Sequence, residues 1–301
     1  MQNADNQSTD SRPVLFGEVL FDCFAPDNSR VLGGAPFNVA WHLQGFGVEP
    51  LLISRVGDDP SGHSILDVMR RWGMDISGVQ LDPLHATGEV NIQFRDGQHS
   101  FDILPDRAYD HIDVNQCPPL KPTLLYHGSL GLRGGASAAA LGHLLATYSP
   151  PVFLDVNLRP PWWGHARVLA LLEHTDWLKI NDEELRLLVP GQAPLADRAR
   201  QLLERYDLAE VIVTRGAAGA LCLTPDGLSH EVAPEQAATV VDTVGAGDAF
   251  AAICILGVIS HWPLAQTLQR AQSFAALIVA QRGAIPETPD IYQGLRDRWF
   301  M

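Results

Sequence analysis

The stretch Asp242-Thr243-Val244-Gly245-Ala246-Gly247-Asp248-Ala249-Phe250 is the strongest chemical signal in the chain. It follows a β-like stretch at 238–241 and opens an apolar helical run. Two glycines and an alanine at a helix start let the backbone approach a ligand closely. The first N–H groups of a helix lack intrahelical partners and carry the positive end of its dipole. Such a corner is an anion cradle. Asp248 stands beside it in the first turn, where a carboxylate can take the proton of a hydroxyl attacking a bound phosphate. The same residues also read as a tight strand-to-helix turn with a dipole-compatible aspartate. They are not a dinucleotide fingerprint, which needs glycine where Phe250 stands.

Five further constellations accompany it. Gly33-Gly34-Ala35-Pro36-Phe37-Asn38 opens another helix, and its open amides and the Asn38 side chain suit a polyol; it also reads as a turn with a cap. Gly17-Glu18-Val19-Leu20-Phe21-Asp22 ends the first strand, where α/β sheets bind ligands, so Asp22 is placed to bond sugar hydroxyls or simply to be solvated. In Asp155-Val156-Asn157-Leu158-Arg159, alternation puts Asp155, Asn157 and Arg159 on one side. There Arg159 either clamps a substrate oxygen or phosphate, or pairs with Asp155. Asn181-Asp182-Glu183-Glu184 is either a carboxylate cluster for hydrated Mg²⁺ or an N-cap with acids in the first turn. Thr214-Arg215-Gly216-Ala217-Ala218-Gly219 is a turn between strands that can line a nucleotide.

These residues need elements to hold them. Apolar runs predict strands at 14–20, 51–55, 123–127, 152–156, 176–180, 211–214 and 220–223. Amphipathic spacing predicts helices at 37–44, 64–72, 136–147, 182–188, 195–205, 247–259, 264–280 and 289–299. Strands alternating with helices imply βαβ units around a mostly parallel sheet, an α/β fold. One region breaks the rhythm. Residues 87–95 alternate, Asp96-Gly97 is a hairpin turn, and 100–104 returns. With 21–32, this hairpin is expected to form a small sheet over the domain's edge. The expectation is one domain at 13–301 with lid segments at about 21–33 and 86–105, after a loose polar tail at 1–12.

Composition narrows the field. The 301 residues are 46% hydrophobic and 19% charged, enough for a large core and too apolar for disorder. A net charge of −14 argues against nucleic-acid and membrane-surface partners. No apolar run reaches the roughly 18–20 residues of a membrane span. The only lysines are Lys121 and Lys179, and neither sits in a Walker P-loop. Phosphate charge would therefore fall to backbone amides, arginine and a metal. Cys23, Cys117, Cys222 and Cys254 form no CxxC pair, which fits a reducing, cytoplasmic setting. The eleven histidines show no HExxH spacing, so a zinc site is not expected.

The combination of GGAPFN and DTVGAGDAF, with GEVLFD, DVNLR, NDEE and VTRGAAG between and around them, resembles the ribokinase-like or PfkB carbohydrate kinases over about residues 14–293. The resemblance implies a three-layer αβα fold with a β lid, and ATP-dependent phosphorylation of a primary sugar hydroxyl. It makes Asp248 the catalytic base and the amides of Gly245, Ala246 and Gly247 the anion hole. Asp22, Gly33, Gly34 and Asn38 become sugar contacts, with Asn157 and Arg159 on the substrate side. Asn181, Thr214, Gly216 and Gly219 become nucleotide contacts, and Glu184 organises Mg²⁺ through water. Asp242 and Val244, with the loop near 282–283, match a site for a monovalent cation such as K⁺. Lid contacts imply a homodimer.

GExxxD, DVNLRPPWW and FDILPDRAYD look most like bacterial fructokinases; Pro160-Pro161 departs from that pattern beside Arg159. A 2-keto-3-deoxygluconate kinase, or another sugar or nucleoside kinase, is the alternative, and an acid substrate would need a further cation such as Arg95 or Arg107. A non-catalytic sugar- or nucleotide-binding protein and a dehydrogenase are the readings from other classes.

Overall fold

The computed structural model describes residues 11–24, 29–95, 98–233 and 240–300, with the backbone alone at 93–95 and 98–100. The expected tail at 1–12 lies outside them except at its end, where Arg12 already belongs to a strand and pairs with Asp75 at 2.7 Å.

In chain order the first half comprises β1 (Arg12–Phe16), β2 (Leu20–Phe24), β3 (Ser29–Gly33), α1 (Ala35–Gly45), β4 (Leu51–Gly57), α2 (Pro60–Arg71), β5 (Val79–Asp82), β6 (Gly88–Arg95) and β7 (Gln98–Ile103). There follow β8 (Pro122–His127), α3 (Gly135–Tyr148), β9 (Val152–Asp155), α4 (His165–Leu172), β10 (Trp177–Asn181), α5 (Asp182–Leu188) and α6 (Leu195–Arg205). The last are β11 (Glu210–Thr214), β12 (Ala220–Leu223), β13 (Ser229–Val232), α7 (Ala246–Ile259), α8 (Leu264–Ile278) and α9 (Asp290–Trp299).

Nine strands form one sheet in the order β13-β12-β11-β10-β9-β8-β1-β4-β5. It is parallel from β11 to β5, and β12 and β13 continue it antiparallel. Helices cover both faces, as the unbroken apolar character of strands such as β9 and β11 requires. One face packs on α1, α2, α7, α8 and α9 through Phe37, Met69, Ile253, Phe274 and Tyr292. The other packs on α3 to α6 through Leu141, Val168, Leu185 and Leu202. This is the three-layer αβα architecture. Residues 249–256 of α7 are all buried, because the helix lies between α1, α8 and the sheet.

The second sheet runs β3-β2-β6-β7, so segments at 21–33 and 86–105 meet in one sheet. β2 and β6 are parallel neighbours, and each is antiparallel to its hairpin partner. Leu20, Val90, Ile92 and Ile103 pack against Tyr109 and Leu130 of the main body.

Two expectations change. The run 14–20 is not one strand: the chain turns at Gly17, where φ is +141° and an added Cβ would lie 2.8 Å from Pro36. Only a glycine fits there, so β1 stays in the large sheet and β2 departs to the small one. The stretch 238–241 is not a strand where it is described: Val240 and Val241 are irregular and exposed, and 238–239 lie outside the described residues.

Candidate active site

The parallel strands end along one edge. Glu18 follows β1, Asp155 ends β9, Asn181 ends β10 and Thr214 ends β11, with Asn181 and Thr214 paired in register. Chain order reverses between β1 and β8, which makes this edge a topological switch point, the usual place for a ligand crevice.

α7 begins at this edge. Its cap, Gly245, has φ +80°, and an added Cβ would strike Ala284. The amides of Gly245, Gly247 and Asp248 have no acceptor among the described residues, Gly247 is exposed, and Asp248 is partly exposed. Ala246 turns its amide to Thr243 O at 3.4 Å. The corner is therefore open and donor-rich, as an anion cradle requires. Asn38 Nδ2 donates to Asp248 Oδ2 at 2.8 Å, joining the starts of α1 and α7 across 210 residues. Burial pushes the Asp248 carboxyl up to about 6, against the Asn38 hydrogen bond that lowers it; Asp155 adds to the rise, and Lys179 and Arg159 oppose it.

Sequence reasoning set both lysines aside, yet Lys179 is part of this corner. Its Nζ lies 2.8 Å from Asp155 Oδ2, and both side chains are buried. A carbon added to Gly247 would sit 3.6 Å from the same Nζ. Burial opposes the ammonium charge, but Asp155, Glu184 and Asp248 outweigh it and raise the Lys179 pKa. The pairing also corrects two expectations. Asp155 bonds Lys179 rather than Arg159, because Lys179 and Asp155 are register partners in the parallel β9–β10 ladder. Alternation does not carry on to Arg159, because β9 stops at Asp155 and Asn157 takes a left-handed φ of 42°.

Glu18 is the second residue that sequence reasoning passed over. It is buried, its Oε2 has no partner, and burial raises its pKa to about 7, with Asp248 adding and Arg159 opposing. Asp22, on β2, is raised by burial to about 6, lowered by Arg159 and raised by Asp242. The positive charge of the exposed Arg159 lowers the pKa of Glu18, Asp22 and Asp248 alike. Gly33 leaves the space beside Asp22, since an added Cβ would come within 3.2 Å of Oδ2. Gly34 has φ +109°, and its Cβ would strike the Glu18 carbonyl. Both glycines thus let the start of α1 close on the GEVLFD strand end.

The NDEE element forms a capping box. Asn181 Oδ1 accepts from Glu184 N at 2.8 Å, and Glu184 Oε2 accepts from Asn181 N at 3.0 Å. Glu184 Oε1 also accepts from Leu158 N at 2.7 Å, tying the DVNLR loop to this helix. Thr214, Gly216 and Gly219 sit at the neighbouring strand end, and Arg215 N bonds Gly219 O to close the turn. Asp242 accepts from Val244 N at 3.0 Å within its own loop and from Gly283 N at 3.1 Å, which brings the two segments together. Arg107 is partly buried in the turn after β7, while the Arg95 side chain lies outside the described residues.

Comparison with known proteins finds similarity over most of the chain. The model of the pfkB family carbohydrate kinases matches residues 22–291. A fructokinase of Salmonella typhimurium is 29% identical, with 95% of this chain and 98% of that protein covered. A probable chloroplastic fructokinase-6 of Arabidopsis thaliana is also 29% identical, over 94% of this chain and 81% of its own length. Among solved structures, fructokinase from Vibrio cholerae O395 with fructose, ADP and calcium ion bound superposes with a TM-score of 0.80 at 27% identity, covering 92% of this chain and 95% of that one.

Proposed function

The chain belongs to the pfkB family of carbohydrate kinases, and from that premise we propose that it transfers the γ-phosphoryl group of ATP to a primary hydroxyl of a sugar, with fructose as the acceptor and fructose 6-phosphate as the product. The observation that carries the reading is the 2.8 Å bond from Asn38 to Asp248 beside the free amides of Gly245 and Gly247. A group that orders a sugar, a carboxylate that takes a proton and an anion cradle thereby share one corner. The relatives' names and the fructose and ADP of the Vibrio structure support the choice of sugar and nucleotide.

In this reading Asp22, Gly33, Gly34 and Asn38 hold the sugar hydroxyls, with Asn157 and Arg159 closing the far side. The sugar oxygen forms a bond to the γ-phosphorus as the bond to the ADP oxygen breaks, and Asp248 receives the hydroxyl proton. A loose transition state needs little proton transfer before that bond breaks, so a carboxylate suffices as base. Charge on the transferred group falls on the amides of Gly245 and Gly247 and on the nearby Lys179 ammonium, while the Ala246 amide of the expected anion hole is turned to Thr243 O. Asn181, Thr214, Gly216 and Gly219 line the nucleotide.

Glu184 keeps one lone pair on each oxygen after accepting its amide, and hard oxygen donors held through water suit Mg²⁺. When bound, Mg²⁺ neutralises charge on the β- and γ-phosphates. Asp242 and Val244 near Gly283 would hold a monovalent cation such as K⁺. The small sheet would act as a lid that excludes water, and would join two copies as a homodimer.

An ADP-release assay over fructose, ribose, 2-keto-3-deoxygluconate and a nucleoside, with Mg²⁺ and with or without K⁺, tests the proposal. Turnover with fructose well above the others supports it. ADP release with none of them sinks the kinase reading, and a preference for the sugar acid transfers it to that substrate.

A further inference from the structure

His85, Asp106 and His111 are far apart in spacing terms from any zinc motif, yet the fold brings them together. The imidazole rings of His85 and His111 stack with centroids 3.6 Å apart and planes 13° from parallel. Asp106 Oδ1 lies 2.8 Å from His111 Nε2 and 3.8 Å from His85 Nε2. One ligand atom from each residue falls within 4.8 Å of the others.

The surroundings orient the pair. Behind His85, its Nδ1 lies 3.0 Å from Asp82 Oδ2, and its backbone amide donates to Asp82 Oδ1 at 3.0 Å. Asp82 is buried and lies 2.8 Å from Arg55 Nε. The same arginine donates from Nη1 to the His111 carbonyl at 3.0 Å. A carboxylate behind one ring nitrogen fixes the tautomer, as it does for histidines that bind metals. With Nδ1–H given to Asp82, the His85 Nε2 lone pair points toward the Asp106 carboxylate. Either a proton on Nε2 or a metal ion can join these two electron-rich atoms, and only the metal also engages the His111 Nε2 beside them. Asp106 itself takes a left-handed φ of 54° to reach this position.

We propose that His85, Asp106 and His111 bind a divalent transition-metal ion of the zinc class, outside the active site, at the foot of the small sheet. Two imidazole nitrogens and one carboxylate oxygen suit zinc and its neighbours, not Mg²⁺, which prefers oxygen alone. Bond lengths near ~2.0–2.1 Å ask the three groups to close inward. The Asp106 side chain is 74% exposed and free to do so. His85 precedes β6, and Asp106 and His111 follow β7, so the ion would clamp the two legs by which the hairpin joins the body.

The test is calorimetric titration of the full, chelator-treated chain with Zn²⁺ in the presence of excess Mg²⁺. The expected result is one saturable site per chain, a rise in unfolding temperature with Zn²⁺, and visible absorption bands of nitrogen-ligated Co²⁺ when Co²⁺ replaces it. His85→Gln, His111→Gln and Asp106→Asn should each weaken binding by at least ~10-fold, as losing a group of a metal site does. Asp106→Asn changes one exposed atom and keeps the fold, so its result stands even if a histidine variant unfolds. Absence of saturable Zn²⁺ binding overturns the proposal. So does undiminished affinity in Asp106→Asn or in either folded histidine variant, which would place the ion elsewhere in the chain.

Discussion

Lys179 Nζ and Asp155 Oδ2 lie 2.8 Å apart in the buried floor under the start of α7. A buried pair of this kind adds little net stability, but removing one partner strands a charge. Lys179→Met should therefore destabilise the protein by about 3–5 kcal/mol in urea unfolding. The double variant Asp155→Asn/Lys179→Met should recover most of that loss. Its kcat should stay at least ~10-fold low, because the positive charge near Gly247 is gone. A double variant with normal kcat would reduce the pair to a structural role.

Asp248→Asn keeps the shape and the contact with Asn38 but no longer accepts a proton. The expected loss in kcat is ~10²–10⁴-fold, with a much smaller change in sugar KM. Steady-state kinetics at saturating ATP decides the matter, and near-normal turnover would remove Asp248 from the chemistry.

The pH profile follows from the raised carboxyls. Asp248 must be ionised to act, and its pKa is pushed up to about 6 by burial. kcat/KM should therefore fall as pH drops through about 6, not near the ordinary value of about 4. The Asn38 hydrogen bond lowers that pKa, so Asn38→Ala should move the acid limb to higher pH. A limb that stays in place would show that another group sets it.

Stability should run the other way. Burial raises Glu18 and Glu210 to about 7, and Asp22 and Asp248 to about 6. The folded protein holds protons there that the unfolded chain has already released. The contribution of these four carboxyls is then complete below the unfolded values near ~4 and is lost as pH rises through about 6–7, while His42 and His127, lowered by burial to about 3 and about 4, oppose it below ~6.5. The unfolding temperature of the ligand-free protein should decline from pH 5 to pH 8, because four raised carboxyls outnumber the two buried histidines in this range. Glu18→Gln should flatten that decline. An equally steep decline in the variant would acquit Glu18.

Asp22 lies beside the gap left by Gly33 and within the field of Arg159, which lowers its pKa. Asp22→Ala should raise sugar KM by at least ~10-fold, the cost of losing a charged hydrogen-bond partner. The KM for ATP should move far less. An unchanged sugar KM would place the sugar elsewhere.

Much of this site was readable in one dimension because its parts are local. A helix start with Gly245, Gly247 and Asp248 carries its chemistry within a few residues, and so does the Asn181–Glu184 capping box. The alternation of apolar runs likewise pointed to an α/β fold around a mostly parallel sheet, since buried parallel strands and covering helices each leave a period in the sequence.

What only the tertiary structure decided is partnership across distance. The register of β9 with β10 sets Asp155 beside Lys179 and leaves the charge of Arg159 to act on Glu18, Asp22 and Asp248. The break at Gly17 sends β2 into the second sheet, and the packing of α1 against α7 brings Asn38 to Asp248. His85 meets Asp106 and His111 only because the hairpin returns to where it left. Hydrophobic periodicity says which face of an element is buried, but not which neighbour it is buried against. Strand register and helix packing choose that neighbour, and with it the field in which each charged group works.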